Sequence, residues 1–153
     1  MSLLIGIEYC KLDSNGRFKL PIAIKKQLEG DDCRFVIRPS IYADCLELWT
    51  YASFEEELAN LQKELNTYSI EDRKLLRKLS AGNIVEIDIN DRLVIPSEQR
   101  ARLGDSKDLV LQSTGKFMEI WSHDAYNRMN DETTDFANIV DKRLGRIKDE
   151  SAE

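Results

Sequence analysis

The stretch Leu12-Asp13-Ser14-Asn15-Gly16-Arg17-Phe18-Lys19-Leu20-Pro21 is matched further along by Ile87-Asp88-Ile89-Asn90-Asp91-Arg92-Leu93-Val94-Ile95-Pro96. Asp13 and Asp88, Arg17 and Arg92, and Pro21 and Pro96 are each 75 residues apart. Two further blocks follow in the same order. Gln27-Leu28-Glu29-Gly30 parallels Ala101-Arg102-Leu103-Gly104, and Cys45-Leu46-Glu47-Leu48-Trp49 parallels Phe117-Met118-Glu119-Ile120-Trp121. The spacing falls to 72 in the last block, so the second copy lacks three residues, most simply in the loop before it. One matching block arises by chance; three in one order read as an internal duplication.

Each copy has the pattern of a β-β-α-β-β unit. Short strands are expected over Ile7 to Leu12 and Arg17 to Leu20, and again over Val85 to Asp88 and Arg92 to Ile95. Asn15-Gly16 between the first two is a hairpin signal, because both residues tolerate positive φ. Pro21 and Pro96 suit the first position of a short helix, where the missing N–H is no loss. Gly30 and Gly104 suit its end. Closing strands are expected over Phe35 to Arg38 with Leu46 to Trp49, and over Leu109 to Gln112 with Phe117 to Trp121, the latter joined by the tight link Ser113-Thr114-Gly115-Lys116.

The copies are joined by a helical insert. Ser53 with Glu56 reads as a capping box, and Phe54, Leu58, Leu61 and Leu65 then fall on one helical face. Ser69 with Asp72 is a second cap, leading to Leu75, Leu76 and Leu79. A shorter helix follows Ser122, with Tyr126 and Met129 inward. The expected division is a first repeat over 1–52, inter-repeat helices over 53–80, a second repeat over 81–130 and a polar tail over 131–153, the tail a loose helix or disordered. The fold class is α+β, mainly β.

Composition narrows the function. Hydrophobic residues make up 42% and charged residues 33%, ordinary for a globular chain. No apolar run approaches the roughly 20 residues of a membrane span, and Ser2 to Ile7 is too short for a signal-peptide core, so a cytoplasmic location is expected. Cys10, Cys33 and Cys45 are an odd, widely spaced set without C-x-x-C, and His123 is the single histidine, which disfavours a disulfide or a structural zinc. There is no phosphate-cradling glycine motif, no nucleophile with a base, and no paired carboxylates in a pocket motif. An enzyme, a cofactor and a small-molecule substrate are therefore not expected. The net charge of −6 argues against indiscriminate nucleic-acid binding. Yet Lys11, Arg17, Lys19, Lys25 and Lys26 stand against Asp13 alone from residue 11 to 26, while 131–153 holds seven acids and four bases.

The block from Leu12 to Arg17 followed by Leu20-Pro21 resembles the MraZ family, which carries L-D-x-K-G-R-x-x-x-P, a second D-x-x-G-R block and an E-x-W ending in each half. Glu47-Leu48-Trp49 and Glu119-Ile120-Trp121 occupy those endings. Gly6 fits the family's early glycine, and Glu71-Asp72-Arg73 through Arg77-Lys78-Leu79-Ser80-Ala81 is similar to its linking helix. The likeness runs from about Leu4 to Met129. It implies an AbrB-like swapped-hairpin barrel in which one chain supplies both interlocked units. It further implies ring-shaped homo-oligomers bound to repeated promoter boxes of double-stranded DNA upstream of the division and cell-wall gene cluster, usually in repression. A nucleoid-associated location goes with that role. Asn15 departs from the family's Lys, Lys25 from its usual Arg, and Asp91 from the glycine before Arg92.

Arg17 is the candidate reading residue, since its planar fork suits guanine edges or phosphate. Asp13 would orient it or brace the turn, and Asn15 lies at the tip. Lys11, Lys19 and Lys25 are candidates for phosphate contact, although a scattered lysine is more often plain solvated surface. Asp88, Arg92 and Arg100 are the second-copy counterparts, crowded by Asp91 and Glu98. Arg73, Lys74, Arg77 and Lys78 read as a solvated or subunit-contacting helix face, and Trp49 and Trp121 as core. The alternative function is an AbrB-fold antitoxin whose tail wraps a toxin partner and which binds its own promoter. Two copies in one chain disfavour it.

Overall fold

The computed structural model describes residues 3–28, 30, 32–130 and 134–145. Strand β1 (Ile7–Lys11), β2 (Arg17–Lys19), helix α1 (Ile22–Lys25), β3 (Arg34–Pro39) and β4 (Leu46–Thr50) form the first half. Helices α2 (Tyr51–Glu64) and α3 (Ile70–Leu79) follow. The second half holds β5 (Asn83–Glu86), β6 (Arg92–Val94), α4 (Ser97–Arg102), β7 (Asp108–Ser113), β8 (Met118–Ser122) and α5 (His123–Asn130). A last helix, α6 (Phe136–Val140), continues as a π-helical turn over Asp141–Gly145. The expectation for the tail over 131–133 and 146–153 lies outside the described residues. The architecture is α+β, dominated by antiparallel sheet.

Strand pairing crosses between the halves. A six-stranded sheet runs β1-β7-β8-β4-β3-β5, and a two-stranded ribbon pairs β2 with β6. The expected β1–β2 hairpin is therefore corrected. Its turn exists, closed by the Asp13 N–H donating to the Arg17 carbonyl at 2.7 Å and by a bridge between Leu12 and Phe18. Beyond that bridge the arms separate, β1 to β7 and β2 to β6. The physical reason is burial: a lone two-stranded hairpin is marginal in water, whereas crossing over seals Phe18 and Leu93 against each other in the core.

The registers obey one two-fold relation in chain numbering. Phe35 lies opposite Thr50 in the first half and Leu109 opposite Ser122 in the second. Arg34 opposite Glu86 is answered by Asp108 opposite Lys11. Two pairs are their own counterparts, Phe18 opposite Leu93 and Glu47 opposite Glu119.

The main core lies between the large sheet and the ribbon, closed by α1 and α4. It contains Phe18, Leu20, Ile24, Leu93, Ile95 and Leu103 against Ile37, Leu46, Leu111 and Ile120. Each such aliphatic or aromatic side chain contributes about 1.5–3 kcal/mol by leaving water. Because strands alternate faces, Val36 and Trp49 point the other way and are covered by Phe54 of α2. Val110 and Trp121 are covered by Tyr126 of α5 in the same manner.

The E-x-W endings have a structural explanation here. The Trp49 indole N–H donates to Glu47 Oε1 at 3.1 Å, and Trp121 to Glu119 Oε1 at 3.2 Å. Glu47 is buried and also takes two bonds from Arg38, at 2.9 and 2.7 Å. The remaining Arg38 nitrogen, Nη1, donates to the Leu79 carbonyl at 2.6 Å, and Glu57 Oε2 lies 3.5 Å from Nη2. One buried guanidinium thus joins β3, β4, α2 and the end of α3. In the second half Gln112 is bonded by the Tyr126 hydroxyl instead, at 2.8 Å.

Three local expectations change. The cap of α2 is Thr50, whose Oγ1 accepts from the Ser53 N–H at 3.2 Å, so the helix begins earlier than a Ser53 box predicts. Strand β4 runs straight into it. Pro21 and Pro96 sit one residue before their helices with ψ near 141° and 143°, and cap them by their carbonyls. Helix α1 is one turn that ends at Lys25, short of Gly30. The Ser69 cap and the helix after Ser122 stand as expected. All three cysteines are free thiols, and burial pushes that of Cys45 up to about 12.

Removing one partner of a buried ion pair strands the other charge, at a cost of about 3–5 kcal/mol. Arg38→Ala is therefore expected to lower the urea midpoint by that much stability with an unchanged m-value. A variant as stable as the parent would mean that Glu47 and the Leu79 carbonyl find water instead.

Candidate nucleic-acid interface

The two turns that lead into the ribbon are built alike. Asp13 Oδ1 accepts from the backbone N–H groups of Asn15 and Arg17, both at 2.9 Å. Asp88 Oδ1 accepts from Asn90 at 2.8 Å and from Arg92 at 2.9 Å. Such side-chain-to-backbone bonds are what make Asp a turn former. The fourth residue of each turn is left-handed, Gly16 at φ 75° and Asp91 at φ 62°. The Arg17 N–H, joined by that of Asn15 and by the charges of Arg92 and Arg17, holds the Asp13 carboxyl below its usual range against an opposing desolvation effect.

Period-two alternation then sorts the ribbon. Phe18 and Leu93 point inward and are fully buried. Arg17, Lys19, Arg92 and Val94 take the opposite face, the three cations exposed and Val94 half-buried. Lys19 lies directly opposite Arg92, and Arg17 opposite Val94. Like charges directly opposite one another destabilise a sheet, so this face favours an anion. Arg92 Nη1 is 3.7 Å from Asp13 Oδ2. Among the described residues, Arg17 and Lys19 have no carboxylate within ion-pair reach.

The other candidates flank the ribbon unevenly. Arg100 presses its guanidinium on the first turn: a Cβ added to Gly16 would lie 2.0 Å from Arg100 Nη1. Lys25 instead reaches the second turn and bonds Asp91 Oδ1 at 2.5 Å. Lys11 is exposed at the end of β1, one residue from the bridge, with Asp108 at 4.0 Å. The fold thus gathers Asp13, Asn15, Arg17, Lys19, Asp88, Arg92 and Arg100 about one ribbon and leaves Lys25 engaged beside it. Sequence reading missed that Lys25 and Arg100 each touch the opposite half's turn.

A two-stranded ribbon fits the major groove, where a guanidinium can meet a guanine edge and lysines the phosphates. Among the described residues no group of His, Cys, Asp and Glu could hold a metal ion. No described helix is long and apolar enough to cross a membrane.

Known proteins share this chain almost end to end. It is 33% identical to the transcriptional regulator MraZ of Flavobacterium psychrophilum over 98% of this chain and 97% of the relative. The corresponding protein of Christiangramia forsetii is 34% identical over 93% of both chains. That of Cytophaga hutchinsonii is 32% identical over 98% of this chain and all of the relative. The family model for the MraZ protein, whose description also draws a likeness to antitoxins, matches residues 79–147. The chain belongs to the MraZ family.

In this MraZ-family chain the motif's Asp, Arg and Pro fall on the turn, the ribbon and the helix cap in both halves. The glycine of the first turn suits its positive φ, and its missing Cβ leaves room for the guanidinium lying on it. A lowered folded-state pKa means that the Asp13 contribution is present above the unfolded value near 4 and fades as pH falls through the folded one. Asp13→Asn is expected to lower the urea midpoint at pH 7, with the gap to the parent closing below about pH 4. A gap that stays constant across that range would mean that the carboxylate charge takes no part in holding the turn.

Proposed function

We propose that this protein is a sequence-specific DNA-binding transcriptional regulator, a repressor acting on repeated promoter boxes of the division and cell-wall gene cluster. The observation that carries the reading is the ribbon β2–β6, with Arg17, Lys19 and Arg92 on one exposed face of an otherwise acidic molecule. The names of the relatives, regulators rather than enzymes, support it. Arg17 reads base edges, while Lys19, Arg92, Arg100 and Lys11 meet phosphates. Asp13, Asn15 and Asp88 shape the turns, and Lys25 stands at the margin. No cofactor or small-molecule substrate enters the activity, and its place is the cytoplasm at the nucleoid.

The two units, 1–52 and 81–130, are read as copies interlocked into one AbrB-like swapped-hairpin barrel, with 53–80 as the linking helices and 131–153 as a tail. The matched registers support this. The assembly is a ring of several copies. Tyr68 in the turn between the linking helices, Ile70 and Leu75 on α3, and Ile5, Ile7, Tyr9 and Ile84 along the two sheet edges are exposed, more apolar surface than one small domain needs to show. A ring also multiplies a modest number of cations through avidity.

One observation favours a second reading. The end helix exposes Phe136, Ile139, Val140 and Leu144, which a toxin partner of an antitoxin would cover. Co-purification with a toxin encoded by an adjacent gene would replace the first reading with this one.

Arg17→Ala is expected to cost about 1–3 kcal/mol per engaged copy if the fork contacts a base, and the losses compound in a ring. Anisotropy titration on the chain's own upstream region, with circular dichroism as folding control, measures it. A folded variant that binds like the parent would leave Arg17 as a turn residue only. Light scattering is expected to show species larger than a dimer at micromolar concentration; a monomer there contradicts the ring.

A further inference from the structure

The two ends of the ribbon carry different cation chemistry at equivalent places. In the first turn the left-handed residue is glycine, and the cation that reaches it from the other half is Arg100. Arg100 lies on bare backbone there and has no carboxylate within ion-pair reach among the described residues. In the second turn the left-handed residue is Asp91, and the cation that reaches it is Lys25. That ammonium is held at 2.5 Å by a carboxylate from a turn 66 residues away in the chain. Asp tolerates the left-handed conformation almost alone among charged residues, so an acid can be placed at this tip without breaking the turn. A carboxylate bound this way occupies the position that a phosphate oxygen would take on the same lysine.

We propose that Asp91 is an internal counter-anion that keeps Lys25 off the DNA backbone, so that each chain grips DNA chiefly through the Gly16 end of the ribbon, with Arg17 and Arg100. This rests on the DNA-binding reading above and adds to it a determinant of affinity and of asymmetry. Lys25 and Asp91 neutralise each other, and together they add no phosphate contact. Freed of Asp91, Lys25 would gain one. The effect belongs to the backbone and not to base reading, so it is the same for any duplex sequence.

Charge removal with the shape kept separates the possibilities. Asp91→Asn preserves a residue at ease with positive φ. It is expected to bind several-fold tighter and to steepen the plot of log K against log salt by about 0.9 per engaged chain, the value for one added phosphate contact. The double variant Lys25→Ala with Asp91→Asn is expected to return the slope to that of the parent, since it removes a pair that makes no contact. The titrations use the full chain on a labelled duplex from its own upstream region and on a random-sequence duplex, with circular dichroism as folding control. Equal gains on both duplexes are expected. An Asp91→Asn protein with unchanged affinity and slope overturns the proposal. So does a double variant with a shallower slope than the parent, because Lys25 would then already rest on a phosphate. A parent protein that binds neither duplex at any salt overturns the DNA-binding reading, and this inference with it.

Discussion

Phe18 and Leu93 face each other across the ribbon, one from each half of the chain, and both are fully buried. Everything else in the arrangement depends on that pair. With three residues to a strand, neither β2 nor β6 could persist alone. Paired, they lay an apolar lid on the large sheet and turn Arg17, Lys19 and Arg92 to solvent in one step. The same alternation that drives two side chains in drives three cations out, so the stability of the core and the geometry of the charged face have one cause. The crossing also ties the halves together: among the described residues the first half's edge strand β1 is paired to β7 of the second, and β5 of the second to β3 of the first.

The charge of the molecule makes sense at that scale. A net −6 would repel a polyanion at long range, and salt screens such repulsion beyond about 8–10 Å. What a groove meets is the local set. Several cations are engaged within the protein: Arg38 is buried under the sheet, Lys25 holds Asp91, and Arg102 bonds the carbonyls of Ser40, Ala43 and Cys45. At the ribbon, Arg17, Lys19 and Arg100 have no carboxylate within ion-pair reach among the described residues, whereas Arg92 faces Asp13.

Much of this was legible from the residues. Repeated Asp, Arg and Pro at one spacing locate both turns and both ribbon strands, because each residue type answers a local demand: bonds to turn N–H groups, an outward strand position, a helix cap. The tryptophans were readable as core, and the exposed side of the ribbon follows from period two. What could not be read was whatever depends on partners distant in the chain. Nothing local in Leu12 to Leu20 says that its two arms part company, since the gain lies in pairing β2 with residues 73 to 77 positions away and β1 with residues 97 to 105 positions away. Ser53 looked like a cap because the cap-box pattern is degenerate, while Thr50 wins by ending a strand that runs into the helix. The Lys25–Asp91 bond was present in the sequence only as two departures from a family pattern, one in each copy. Only their meeting in space shows that the departures offset each other.

DNA is expected to meet the ribbon made by both halves and not the helical insert between them. Site-specific photocrosslinking tests this most directly, with a photoreactive side chain placed at Lys19 on the ribbon in one protein and at Arg77 on α3 in another. Both positions are exposed, so neither change should disturb folding. Irradiation with a duplex from the upstream region should join DNA to the Lys19 position and leave the Arg77 position unlinked. Crosslinks from Arg77 with none from Lys19 would contradict the β2–β6 ribbon as the DNA-contacting surface.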